Sequence, residues 1–148
     1  MNRIPRAALD QYSVCATPGS QQQHDMDQAV VMLREAADQG HMMAQAHCGA
    51  IYRFGHGVAH DGRIALVYYE NAAQQGSAIS QFNTGVHYRD GLGCEQNHER
   101  AADWFQKAAF QGDASAQWSL GVAYEHGRGV QQSNEQAAKW YAKAARRG

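Results

Sequence analysis

Four glycines, Gly40, Gly76, Gly112 and Gly148, stand 36 residues apart along this chain. Other residues keep the same interval: Ala29, Ala65, Ala101 and Ala137; Gly49, Gly85 and Gly121; Tyr52, Tyr88 and Tyr124; Gly55, Gly91 and Gly127; Gly57, Gly93 and Gly129. So many coincident columns are not a compositional accident. A period of roughly 20 to 50 residues marks a solenoid, whose units bury their apolar faces against their neighbours.

Within one period, Ala101, Ala102, Trp104, Phe105, Ala108 and Ala109 fall at the spacing of an amphipathic helix. The segment from Ala114 to His126 carries a second stripe of Trp118, Leu120, Val122 and Tyr124, interrupted by Gly121. Glycine inside a helix costs about 1 kcal/mol relative to alanine, so its return at 49, 85 and 121 predicts a close helix contact with no room for a side chain. Each long loop reads Gly-X-Gly, with the first glycine suited to a left-handed helix cap. Asp61, Asn97 and Ser133 share a column before the next helix, and all three are good N-caps. The repeat is therefore two antiparallel helices. One set is expected near 42 to 54, 78 to 90 and 114 to 126, and the other near 25 to 39, 61 to 75, 97 to 111 and 133 to 147. Stepping 36 residues back places Ala8 under Ala44 and Gly19 under Gly55, a degenerate match that predicts one more helix near 5 to 16. Pro5 fits its first turn and Pro18 its end. The expectation is an all-α chain of four helix pairs forming a single domain over residues 1 to 148, with repeats at about 5–40, 41–76, 77–112 and 113–148.

Composition removes several function classes. The 148 residues carry 13 Lys+Arg against 14 Asp+Glu, a formal net charge of −1. That balance lacks the long-range field by which nucleic-acid and acidic-membrane binders gather their ligands. No run approaches the roughly 18 apolar residues that span a bilayer, so no membrane insertion is expected. Arg3 and Arg6 precede Ala7, Ala8 and Leu9, but Asp10 and Gln11 break any signal-like apolar core, so a cytoplasmic location is expected. Cys15, Cys48 and Cys94 form no CxxC pair, and no metal site or intramolecular disulfide is predicted. His56 and His60 lie in a glycine loop without a third ligand nearby. No nucleophile constellation, carboxylate pair or phosphate loop stands out, so neither catalysis nor a cofactor is expected.

The blocks Ala101 to Gln117 and Ala116 to Val130 closely resemble the Sel1-like repeat, a family similar to tetratricopeptide repeats. The resemblance covers about residues 25 to 148. It implies a right-handed α-solenoid in which the helix carrying Leu120, Gly121 and Tyr124 comes first in each pair and lines the concave surface, with the Ala-rich helix outside. It further implies a protein-binding adaptor, and some bacterial members act in regulation or as immunity proteins. A cysteine-rich secreted subfamily is linked to β-lactam binding and hydrolysis. Here the corresponding outer-helix ends read Ala72-Ala73 and Ala108-Ala109, and Cys48 and Cys94 fall in other columns.

On that geometry, the groove positions not used by the packing columns are Met43, His47, Ala50 and Arg53, then Ile79, Asn83, Val86 and Arg89 or Asp90, then Ser115, Ser119, Val122 and Glu125 or His126, with Phe82 and Trp118 at the border. Met43, His47, Arg53, Ile79, Asn83, Val86, Arg89, Trp118, Val122 and Glu125 are the candidate partner-binding residues, and the partner is another protein or peptide. Self-assembly through the solenoid ends is a competing reading. Residues 114 to 148 carry five positive against two negative groups, mostly on the last helix, where cations favour the helix dipole.

Overall fold

The computed structural model describes residues 21–147. Seven helices follow one another there, with no strand among the described residues: α1 Gln21–Asp38, α2 Met42–Phe54, α3 Gly62–Gln74, α4 Ala78–Asp90, α5 His98–Phe110, α6 Ala114–His126 and α7 Asn134–Arg147. The helix expected near 5 to 16, and Cys15 with it, lies outside the described residues. The expected boundaries hold to within a residue for α2 to α7. The first helix begins four residues earlier than expected, where Gln21 with Asp25 and Gln23 with Asp27 form side-chain hydrogen bonds one turn apart.

The caps are those the repeat columns called for. Asp61 Oδ1 accepts from the backbone N–H of Arg63 and Ile64, Asn97 Oδ1 from Arg100, and Ser133 Oγ from Gln136. Gly55, Gly91 and Gly127 close α2, α4 and α6 in the left-handed region at φ of 73°, 69° and 66°. Two residues on, the loop glycines pass close to the preceding outer helix. A Cβ on Gly129 would lie 2.0 Å from the His98 carbonyl oxygen.

Within each pair the helices meet at the glycine column. A Cβ on Gly49, Gly85 or Gly121 would stand 2.6, 2.6 and 2.7 Å from the rings of Tyr69, Phe105 and Tyr141. The absent side chain is what lets each ring come this close to the inner helix backbone.

Between pairs runs a ladder of amides. Gln45, Gln81 and Gln117 are buried in α2, α4 and α6, and their Nε2 atoms donate to the carbonyls of Ala37, Ala73 and Ala109 at 3.2, 3.2 and 3.1 Å. Gln75 Nε2 donates back to Gln45 Oε1 and Gly40 O, and Gln111 Nε2 donates to Gln81 Oε1 and Gly76 O. Each rung gives a second donor to a helix-end carbonyl that already accepts the N–H of the glycine three residues on, Gly40, Gly76 or Gly112. The core forms two apolar clusters along the chain, one around Tyr52, Tyr68 and Tyr69, the other around Leu66, Phe105, Leu120 and Trp140.

Candidate partner-binding groove

The inner helices α2, α4 and α6 carry large apolar side chains to solvent. Met43, Ile79 and Trp118 are 63%, 60% and 57% exposed, one on each helix. His47 and Glu125 are exposed as well, and Arg53, Asn83, Arg89 and Val122 are half-buried. Val86 departs from the expectation. Its three- to four-residue spacing along α4, outside the packing columns, predicts the open face, but it is buried in the core cluster with Leu66 and Phe105.

Polar groups on this face are tied together rather than loose. Arg53 Nη1 donates to Asn83 Oδ1 at 2.8 Å, bridging α2 to α4, while Asn83 Nδ2 returns a bond to the Ile79 carbonyl within its own helix. The Arg53 guanidinium also lies 4.9 Å over the Phe54 ring. Arg89 grips Asp90 side-on through Nε and Nη2 at 2.8 and 2.9 Å. That bond holds the Asp90 carboxyl below its ordinary range. Glu125 accepts from the Tyr141 hydroxyl at 2.6 Å, so it is anchored to the outer helix of its own pair. Trp118 packs on the same Tyr141, with ring centres 4.6 Å apart.

Three of the candidate residues, Arg89, Trp118 and Val122, converge on a cleft of about 100 Å³ between α4, α5 and α6. Its remaining walls include His98 and Arg128, which sequence reasoning did not single out. Met43, His47 and Ile79 stand apart from it. The signal for Arg128 was in the sequence, because the same column one repeat earlier holds the apolar Leu92.

The chemically reactive side chains are placed away from this face. Cys48 is fully buried, and burial, with Asp38 adding to it, pushes its thiol up to about 12, which keeps it from serving as a thiolate nucleophile. Burial also raises the Cys94 thiol. Both cysteines are free. No helix among the described residues is long and apolar enough to cross a membrane.

The Sel1 repeat profile matches residues 7–41, 43–77, 78–113 and 114–148, and the chain belongs to the Sel1 repeat family. The first match falls on the degenerate repeat at the N-terminus. Among solved structures, a protective antigen of uropathogenic Escherichia coli strains with an SLR fold is 40% identical over 82% of this chain, with a TM-score of 0.80. This chain spans about a quarter of that antigen, 26% of its length. A Sel1 repeat protein from Oxalobacter formigenes is 33% identical over 92% of this chain and 99% of its own, with a TM-score of 0.76. Helicobacter pylori cysteine-rich protein B is similar in fold, with a TM-score of 0.66 at 21% identity over 88% of this chain and 92% of its own. No protein of curated function matches. Sel1 repeats are generally protein–protein interaction modules and non-catalytic scaffolds.

Proposed function

We propose that this protein is an adaptor that receives a segment of another protein along the face formed by α2, α4 and α6. The observation that carries the reading is the exposure of Met43, Ile79 and Trp118 on three successive inner helices, where solvent gains nothing from them. Neighbouring polar groups are prearranged by the Arg53–Asn83 and Tyr141–Glu125 bonds, so a ligand meets a surface already ordered. Affinity then comes from a few anchors rather than from total area. The test is affinity capture with identification of the bound protein, repeated with Met43→Ser combined with Ile79→Ser. The double variant should keep the melting temperature and lose the captured protein. Unchanged capture by that variant, with loss on Lys139→Glu and Lys143→Glu in α7, would move the functional surface to the outer helices.

A further inference from the structure

We propose that the cleft between α4, α5 and α6 is the anchor pocket of the groove, and that it takes one aliphatic side chain of leucine size carried on an acidic segment of the partner. The proposal rests on the groove reading above and adds to it where the anchor sits and what chemistry surrounds it.

The cleft exists because three columns change between adjacent junctions. Where α3 and α4 meet, those columns hold Leu66, Asn83 and His87, and where α5 and α6 meet they hold Ala102, Ser119 and Ala123. Leu66 and His87 are 7% and 0% exposed, and Val86 beside them is closed off with them. The smaller set leaves a cleft of about 100 Å³, on whose wall Val122, the equivalent of Val86, remains half-buried. A dry apolar cavity of roughly 150 Å³ holds a benzene-sized molecule, so this space suits one aliphatic side chain. The floor is apolar, made by Ala101, Phe105 and Ala123, with Trp118 as a side wall.

The rim supplies the sign of the partner's charge. Arg128 replaces Leu92 and His98 replaces Gly62 relative to the earlier junction, and both line the cleft beside Arg89. Arg89 lies 5.8 Å over the Phe105 ring and uses only Nε and Nη2 on Asp90, so Asp90 leaves Nη1 untouched. Asp90 at the end of α4 is engaged by Arg89, and Glu125 at the end of α6 by Tyr141, while Glu99 and Asp103 on α5 are exposed and absent from the cleft lining. Guanidinium groups around an apolar floor match a carboxylate next to an aliphatic side chain.

The test uses three fluorescein-labelled ten-residue peptides and fluorescence polarisation: a central leucine among glutamates, the same peptide with alanine for leucine, and leucine among lysines. The leucine–glutamate peptide should bind, more weakly as salt rises. The alanine peptide should bind about tenfold more weakly, as expected for losing one buried aliphatic side chain, and the lysine peptide not at all. Ala102→Leu installs the residue the preceding junction tolerates and should cost a similar factor without lowering the melting temperature. Ser119→Asn, which fills the cleft from α6, does the same should Ala102→Leu disturb the fold, and Arg128→Glu should abolish binding. Equal binding of the leucine and alanine peptides, binding untouched by both filling variants, or no binding of any peptide overturns the proposal. In the last case, a captured protein that still depends on Met43 and Ile79 leaves the groove reading standing. A captured protein indifferent to those residues defeats both.

Discussion

At the contact inside a helix pair, Gly49, Gly85 and Gly121 meet Tyr69, Phe105 and Tyr141 at nearly identical distances. At the junction between pairs, Leu66 and His87 on one side of α4 give way to Ala102 and Ala123 one repeat later, and a Gln75–Gln45 rung has no described counterpart at Gln117. The first contact is made between the two helices of one unit, so each unit must carry the same solution. The second is made between units, and a change there alters only a local interface. Variation is therefore tolerated where the molecule can use it, along the junctions that open on the groove.

The largest effect that would break this comparison lies at the invariant contact. Gly85→Leu must displace the Phe105 ring, which a Cβ alone would approach to 2.6 Å, and the Ala101 carbonyl oxygen lies 3.2 Å away. The cost should be about 3 kcal/mol, the upper part of the usual overpacking range, measured by urea denaturation. Gly76 offers the control. Nothing lies within 4 Å of a Cβ there, and its φ is +99°, so Gly76→Ala should cost only the backbone strain of roughly 1 to 2 kcal/mol. Equal losses at the two sites would mean that the glycine column at 49, 85 and 121 is not a packing device.

How much of this was legible depended on whether a residue's partner repeats with it. The glycine column, the caps at Asp61, Asn97 and Ser133, and the left-handed ends at Gly55, Gly91 and Gly127 were readable because both members of each contact recur every 36 residues. Val86 was misplaced for the opposite reason. The next repeat keeps its valine as Val122, but its surroundings change from Leu66 and His87 to Ala102 and Ala123, and surroundings decide burial. The amide ladder was overlooked although Gln45, Gln81 and Gln117 hold the register, as do Gln75 and Gln111. A polar residue on an inner helix reads as solvent-facing until the carbonyl it serves is located. The cleft at Arg128 needed a comparison of how columns differ, whereas periodicity shows only how they agree.

A smaller effect sharpens the junction half of the comparison. Gln81→Leu removes a donor from Ala73 O and an acceptor from Gln111, whereas Gln117→Leu removes only the donor to Ala109 O, because no described group reaches Gln117 Oε1. The Ala73 and Ala109 carbonyls keep the N–H of Gly76 and Gly112, and Gln111 keeps the Gly76 carbonyl, so each loss is that of net hydrogen bonds, roughly 0.5 to 1.5 kcal/mol. Gln81→Leu should fall in the upper part of that range and Gln117→Leu in the lower. Equal losses would show that the Gln111 bond adds nothing to the rung.

The smallest effect concerns His87, the histidine that fills the junction where the next repeat has Ala123. Its Nδ1 lies 2.8 Å from the Leu92 carbonyl oxygen, which can only accept, so Nδ1 carries the proton and donates. Nε2 is buried without a partner, and the Tyr69 ring stands edge-on, 5.5 Å between centres. Burial, with Arg53 and His60 adding to it, holds the imidazole below its ordinary value of 6.5, against the opposing pull of the Leu92 bond and Asp90. The unfolded chain therefore takes up a proton near pH 6.5 that the folded chain resists until lower pH. Between those two values the unfolded state binds more protons, so this group's contribution to stability is complete above pH 6.5 and declines as pH falls through and below it. Urea titrations from pH 7.5 to 5 should show the wild type losing stability more steeply than His87→Ala, whatever the offset the cavity imposes at pH 7.5. Parallel pH dependences for the two proteins would mean that His87 is protonated as easily in the fold as out of it, and that the junction admits the water this packing is built to exclude.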